Sequence, residues 1–165
     1  MGGNLSPLTK DGRVAFVPRV FLSMPCYGQV HMGAAKGFFV AMMNSQQEDS
    51  VPIEVMGSTV SSLLPHTFNM ALAGALEARD AGQITHFAMI HADVEPSATN
   101  WLDILWQEMD HHQADVMSVV IPIKEPVANP KTSTAVASIT DPWAEPRCLT
   151  LDDIGRLPQT FGRAD

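Results

Sequence analysis

His86-Phe87-Ala88-Met89-Ile90-His91-Ala92-Asp93-Val94-Glu95-Pro96 carries the clearest fold signal of this chain. An apolar run stops on a histidine and two carboxylates, and a proline then prevents the strand from continuing. A run of this length, bounded by turn residues, predicts a buried strand of a parallel sheet over 86–91. Ligands of open α/β sheets bind at the carboxyl ends of such strands, so the acids that follow are candidate site residues.

Predicted strands and helices alternate along the chain. Apolar runs closed by proline or glycine predict four strands: 19–25, 53–57, 86–91 and 115–123. Helical spacing predicts three helices between them: from Val30 to about Asn44, between the cap at Ser62 and the stop at Gly82, and from Trp101 to near His111-His112-Gln113. This βαβ order predicts an α/β fold with three layers (α/β/α), in which helices cover both faces of a mostly parallel sheet.

The second predicted helix has the clearest end signals. Ser62 is a suitable N-cap, Pro65 suits the first turn, and Gly82 stops the helix. Apolar residues at helical spacing predict the face that packs on the sheet: Phe68, Leu72, Ala75 and Leu76.

The length of 165 residues predicts about one domain. We expect residues 1–18 to be a leader and 19–125 to be the α/β domain. Residues 126–165 contain five prolines, so we expect an irregular tail of the same domain, with a strand-like run at 134–139 and a short helix at 151–156.

Composition and charge exclude several classes of protein. Hydrophobic residues make up 45% of the chain and charged residues 17%, which excludes wholesale disorder. The net charge is −8 and the ten Lys and Arg are scattered, so we expect no nucleic-acid partner. Cys26 and Cys148 lack metal-type spacing. Neither a signal peptide nor a membrane span is predicted, and we expect a cytoplasmic protein.

The acids after the 86–91 strand are candidate metal ligands. Strand residues two apart point the same way, so Asp93 can face one ligand together with either Glu95 or His91. Carboxylate oxygens suit Mg²⁺ or Mn²⁺, which take their remaining ligands from water and phosphate. In the alternative interpretation, the negative charges of Asp93 and Glu95 only stabilise the N-terminal end of the helix that starts at Trp101.

Two other loops follow strand ends and offer contacts to a nucleotide. In the first, Tyr27 can stack on a base, and Gly28 allows a ligand to approach the backbone after Pro25. The alternative is a packed tyrosine beside a turn glycine. The second loop starts at Gly57 and supplies hydroxyls, including that of Ser58, before a helix.

With this order of elements, the acidic turn resembles that of GT-A type nucleotide-sugar glycosyltransferases, in particular the family 2-like enzymes. Their Asp-x-Asp motif follows a buried strand, and here it corresponds to His91-Ala92-Asp93 or to Asp93-Val94-Glu95. Asn69 is placed as an asparagine of the family's second helix, and the turn from Pro25 to Gly28 resembles the loop around the base. The resemblance implies that these residues contact the nucleotide: Pro25, Tyr27, Gly28, Ser58, Asn69, Ala92 and Asp93.

The resemblance also implies the reaction. A sugar would be transferred from a nucleoside diphosphate sugar to an acceptor of unknown identity, and Asp93, with Glu95 or His91, would bind the Mn²⁺ or Mg²⁺ that bridges the diphosphate. The general base would come from the acceptor side, where Glu125 and Asp141 are the candidates. Such enzymes continue further than this chain, which predicts C-terminal truncation and leaves a second interpretation, a non-catalytic nucleotide-binding or oligomerising module. Ten methionines suit a homo-oligomer.

Overall fold

The computed structural model describes residues 17–122, 128–136, 145 and 147–156. The elements of this part of the chain are, in order, β1 (Val20–Cys26), α1 (Met32–Asn44), β2 (Ile53–Val60), α2 (Leu64–Asp80), β3 (His86–Met89), α3 (Trp101–His111), β4 (Lys131–Val136), β5 (Arg147–Thr150) and α4 (Leu151–Arg156). They belong to two compact units that divide between Asp115 and Val116.

The first unit is built on a three-stranded parallel sheet in the order β2-β1-β3. Val20 of β1 pairs with Ile53 of β2 on one side and with His86 of β3 on the other. The predicted α/β class and parallel sheet are therefore confirmed for these three strands. Because the strands are parallel, their carboxyl ends lie at the same edge.

Side chains of β1 alternate between two apolar clusters, one on each face of the sheet. Leu22 is fully buried in the larger cluster, which includes Phe38 of α1 and Leu102 of α3. Phe21 packs against the smaller cluster, which includes Ala75 of α2. Helices therefore cover both faces of this sheet.

Burial of β3 differs from the prediction of a fully buried strand. Phe87 and Met89 are 36% and 38% exposed, whereas Ala88 is half-buried and Ile90, just beyond the strand, is buried. Within the described residues β3 pairs only with β1, so it is an edge strand of this sheet. An apolar run alone does not distinguish a central strand from an edge strand.

The second strand is longer than predicted. β2 continues beyond Gly57 to Val60, because Met24, Pro25 and Cys26 of β1 provide pairing partners for these three residues. The predicted Ser/Thr loop therefore begins at Ser61 instead of Gly57.

The ends and the buried face of α2 differ in part from the prediction. Leu63, not Ser62, is the N-cap and makes no side-chain capping bond. Gly82 follows the helix with a φ of +70°, as expected of a glycine stop. The buried residues of α2 are smaller than those predicted, and Ala75 is the one residue common to both sets: Thr67, Ala71, Ala75 and Ala78. Leu72 and Leu76 are exposed instead.

The second unit contains an antiparallel pair, β4 and β5, followed by α4. The helix predicted at 151–156 is confirmed, and β4 overlaps the strand-like run predicted at 134–139, whose last three residues lie outside the described part. The strand predicted at 115–123 is wrong over 115–122, where the backbone forms only an isolated bridge between Pro122 and Thr132. The valines of this segment favour a strand, but apart from that bridge the segment pairs with no strand among the described residues.

Candidate functional site

Backbone hydrogen bonds connect the three strand ends at the carboxyl edge of the parallel sheet. The N–H of Ser61, just after β2, donates to the carbonyl oxygen of Cys26 at 3.3 Å. The N–H of His31, just before α1, donates to the carbonyl oxygen of Ala92 at 2.7 Å. The segments that follow β1, β2 and β3 therefore form one continuous edge.

The loop after β1 presents an exposed aromatic side chain at this edge. Pro25 is fully buried at the end of the strand, whereas Tyr27 is 63% exposed. Gly28 has a φ of +79°, and a β-carbon there would meet no atom within 4 Å. This conformation suits glycine, and the open space around it allows a ligand to approach the backbone.

The predicted contacts from β2 and α2 are less well placed. Ser58 lies near the end of β2, where it pairs with Met24 of β1. Its Oγ is 3.4 Å from the Sγ of the buried Cys26. Asn69 is exposed, and it lies two residues from both Thr67 and Ala71, which face the sheet. A spacing of two residues on a helix corresponds to a rotation of about 200°, so Asn69 is on the side away from the sheet.

The acidic turn, residues 91–95, follows β3 and carries all three predicted metal ligands. The N–H of Val94 donates to the carbonyl oxygen of His91 at 3.2 Å and closes the turn. The ring of His91 packs edge-to-face on Phe68 of α2, with 5.2 Å between ring centroids. Asp93 is exposed at the centre of the turn.

Glu95 lies on the other side of the acidic turn, against α1. A β-carbon added to Gly33 would overlap the Oε2 and Cδ atoms of Glu95 and would lie 2.7 Å from its Cβ. His91 therefore contacts α2, whereas Glu95 contacts α1, and Asp93 lies between them in the chain.

The structure does not assemble these three residues into a metal cluster. Across the described ranges no group of three or more His, Cys, Asp or Glu side chains could hold a metal ion. The donor set that fits Mg²⁺ or Mn²⁺ at this edge is the single carboxylate of Asp93, since such ions accept one or two carboxylates and take phosphate oxygens as further ligands. Metal binding stays a prediction.

Other features of the chain bear less directly on the site. Glu125 and Asp141, the predicted bases, lie outside the described residues.

A groove of about 350 Å³ runs between α1 and the segment after the acidic turn, lined by Gly33, Lys36, Gly37, Val40 and residues 95–99. Its lining includes Glu95 but not Asp93 or Tyr27, so the groove does not coincide with the predicted nucleotide site.

The N-cap of α1 and two glycines of the helix contribute to the site in ways that the sequence interpretation missed. His31 is the N-cap of α1, and its Nδ1 accepts a hydrogen bond of 3.2 Å from the N–H of Gly33. Gly33 and Gly37 contact the segment after β3. Two glycines four residues apart share one helix face, which is the sequence signal of a close approach.

Comparison with protein-family models, with curated proteins and with solved structures gives no match to this chain. Among the described helices, none is both long enough and apolar enough to cross a membrane.

Proposed function

We propose that this chain is a GT-A type glycosyltransferase domain that binds a nucleoside diphosphate sugar at the carboxyl edge of its parallel sheet. The observation that carries the proposal is the position of Asp93. Its carboxylate is exposed at the centre of a turn directly after β3, at the edge where open α/β sheets bind ligands.

The loop after β1 supports the nucleotide part of the proposal. Tyr27 offers an exposed ring on which a base can stack, and the positive φ of Gly28 keeps the backbone accessible beside it. The hydrogen bond between His31 and Ala92 joins this loop to the segment that carries Asp93. An aromatic face and a carboxylate are thus presented from neighbouring segments of one sheet edge.

Asp93 is the residue that would hold the divalent cation. When bound, such a cation offsets the negative charge that develops on the leaving diphosphate. The acceptor hydroxyl needs a general base. We assign that role to no described residue, and Glu125 and Asp141 stay predictions.

The test of the proposed function is a paired measurement of binding and turnover. The chain is incubated with a panel of nucleoside diphosphate sugars and Mn²⁺, and release of the nucleoside diphosphate is followed together with binding by calorimetry. Asp93→Asn keeps the shape of the side chain but removes its charge, so we expect nucleotide affinity in the presence of Mn²⁺ to fall at least tenfold.

Asp49→Asn is the matched control, because Asp49 is also an exposed aspartate in a turn and lies beyond the opposite end of α1 from the carboxyl edge. It should bind nucleotide like the parent. Equal affinities of Asp93→Asn and the parent would remove Asp93 from the site, and a parent that neither binds nor turns over any nucleotide sugar would overturn the proposal.

Exposed apolar side chains favour the second candidate, a non-catalytic module that oligomerises. Leu72 and Leu76 of α2 are 46% and 42% exposed and lie four residues apart on one helix face. Contiguous exposed apolar patches mark surfaces that pack against another protein, and these two leucines are neighbours on the helix. Nucleotide binding without release of nucleoside diphosphate, in a chain that self-associates, would support this candidate over the enzyme.

A further inference from the structure

We infer that Gly33 and Gly37 of α1 are positioning residues for Asp93, because they hold the segment on which its carboxylate is presented. This inference rests on the proposed function, since Asp93 matters only if the carboxyl edge binds the nucleotide. The residues that carry it lie at the start of α1 and in the segment after β3, where Ala92 is also a predicted nucleotide contact and Glu95 a predicted metal ligand.

We call the contact of Gly33 and Gly37 with Glu95 and Pro96 the glycine contact. It leaves no room for a side chain at positions 33 and 37 of α1. A β-carbon on Gly37 would lie 2.5 Å from the Cδ and 2.7 Å from the Cγ of Pro96. Real β-carbons essentially never approach other atoms within 3.0 Å, and the ring of proline cannot turn away as a flexible side chain can. At Gly33 the overlap reaches the Cβ of Glu95, which moves only with the backbone.

The preceding part of the segment is held by a hydrogen bond. His31, the N-cap of α1, donates its N–H to the carbonyl oxygen of Ala92 at 2.7 Å. Ala92 precedes Asp93, and Glu95 and Pro96 follow it. The backbone is therefore fixed to α1 on both sides of Asp93.

Electrostatics explains why an acid occupies position 95. The first turn of α1 contains no acidic residue of its own. The N-terminal end of a helix favours negative charge, and the carboxylate of Glu95 lies against Gly33 in that turn. Both acids are exposed, but the carboxylate of Glu95 lies beside the start of α1, whereas Asp93 lies at the centre of the turn.

The test replaces Gly33 by alanine and compares it with a glycine that has room. Gly74 of α2 is the matched control, because a β-carbon there would lie 3.7 Å from the ring of Phe21, an ordinary contact. Both changes replace a helical glycine by a better helix former, so they differ mainly in the contact that they create.

Two measurements are made on each variant: the hydrogen exchange rate of the Val94 amide, which closes the acidic turn, and the affinity for uridine and guanosine diphosphates with and without Mn²⁺. We expect Gly33→Ala to raise the exchange rate at least tenfold and to weaken nucleotide affinity at least tenfold. Gly74→Ala should leave both values unchanged.

Glu95→Ala tests the same contact without adding atoms to the interior, and it keeps the inference testable if Gly33→Ala does not fold. It should raise the exchange rate of Val94 without ligand and weaken nucleotide affinity both with and without Mn²⁺, whereas the loss of a metal ligand would weaken affinity only with Mn²⁺. Unchanged exchange in Glu95→Ala would overturn the inference. Faster exchange with unchanged nucleotide affinity would also overturn it, because the contact would then stabilise the turn without positioning Asp93.

The proposed function fails by a different result. A parent chain that binds neither diphosphate, with or without Mn²⁺, overturns the nucleotide site. The exchange rates of Gly33→Ala and Glu95→Ala, which need no ligand, would still show whether the glycine contact holds the turn.

Discussion

The backbone N–H of His31 and the carbonyl oxygen of Ala92 form a hydrogen bond of 2.7 Å between segments that follow two different strands. His31 also caps α1 through its side chain, so a single residue fixes both the start of the helix and the segment that leads to Asp93. Neither bond involves the side chain of Tyr27 or Asp93, so these two exposed side chains can be changed without breaking either of them.

Removal of the exposed ring of Tyr27 should weaken nucleotide binding without affecting folding. Stacking of a base on an aromatic side chain contributes about 1–3 kcal/mol, so we expect Tyr27→Ala to weaken nucleoside diphosphate affinity by that amount. Tyr27→Phe keeps the ring and should bind like the parent. Calorimetry with each variant checks this, and a Tyr27→Ala chain of parental affinity would exclude a stacking role.

The free energy of unfolding should depend on pH through His86. Partial burial lowers the pKa of His86 below its ordinary value of 6.5, and its ring packs on Trp106 with 4.9 Å between ring centroids. Between the lowered pKa and 6.5 the unfolded chain binds more protons than the folded chain. Stability from His86 is therefore fully present above 6.5 and is lost as the pH falls towards the folded pKa.

Denaturant unfolding of the parent and of His86→Gln across this pH range measures the effect. The five other histidines are the same in both chains, so the difference between the two unfolding free energies isolates His86. We expect the unfolding free energy of the parent to fall relative to that of His86→Gln as the pH falls. A difference that does not change with pH would contradict the prediction.

Asp103 should contribute more to stability than other acids of α3. Its Oδ1 accepts a hydrogen bond of 2.7 Å from the N–H of the buried Val51, and its Oδ2 lies 3.4 Å from the hydroxyl of Ser50. Asp103→Ala leaves the Val51 N–H without this partner, which should cost about 1–3 kcal/mol. Chemical denaturation checks this against Asp110→Ala, an exposed position where we expect a change within about 0.5 kcal/mol.

Self-association, if the chain oligomerises, should depend on the exposed leucines of α2. The double variant Leu72→Gln and Leu76→Gln removes apolar area from the surface, so we expect its dimer dissociation constant to rise at least tenfold. Sedimentation equilibrium measures this, and Ile104→Gln, at another exposed apolar position on α3, is the control. Parental association in the double variant would exclude this face of α2.

Local signals in the sequence predicted most of the first unit. The strand that starts near Val20, the glycine stop at Gly82 and the helix that starts at Trp101 follow from apolar runs, turn residues and helix-end preferences. These signals act within a few residues of one another, so they do not require knowledge of the tertiary structure.

The remaining features depend on neighbours that are distant in sequence. The sheet selects Ala71 and Ala75 of α2, not Leu72 and Leu76, because small residues let the helix approach the strands, and spacing alone does not choose between faces one residue apart. Similarly, Glu95 contacts Gly33 from another part of the chain. The sequence places two acids after a strand, but only packing shows that one of them faces a helix.

The central position of β1 has a consequence for the order of folding. Ile53 and His86, the pairing partners of Val20, lie 33 and 66 residues further along the chain. Pairings this distant close slowly, because the entropy of the intervening loop must be lost before the contact forms. Until β3 has left the ribosome, one edge of β1 therefore presents unpaired backbone N–H and C=O groups, and during this interval the nascent chain most needs protection from aggregation.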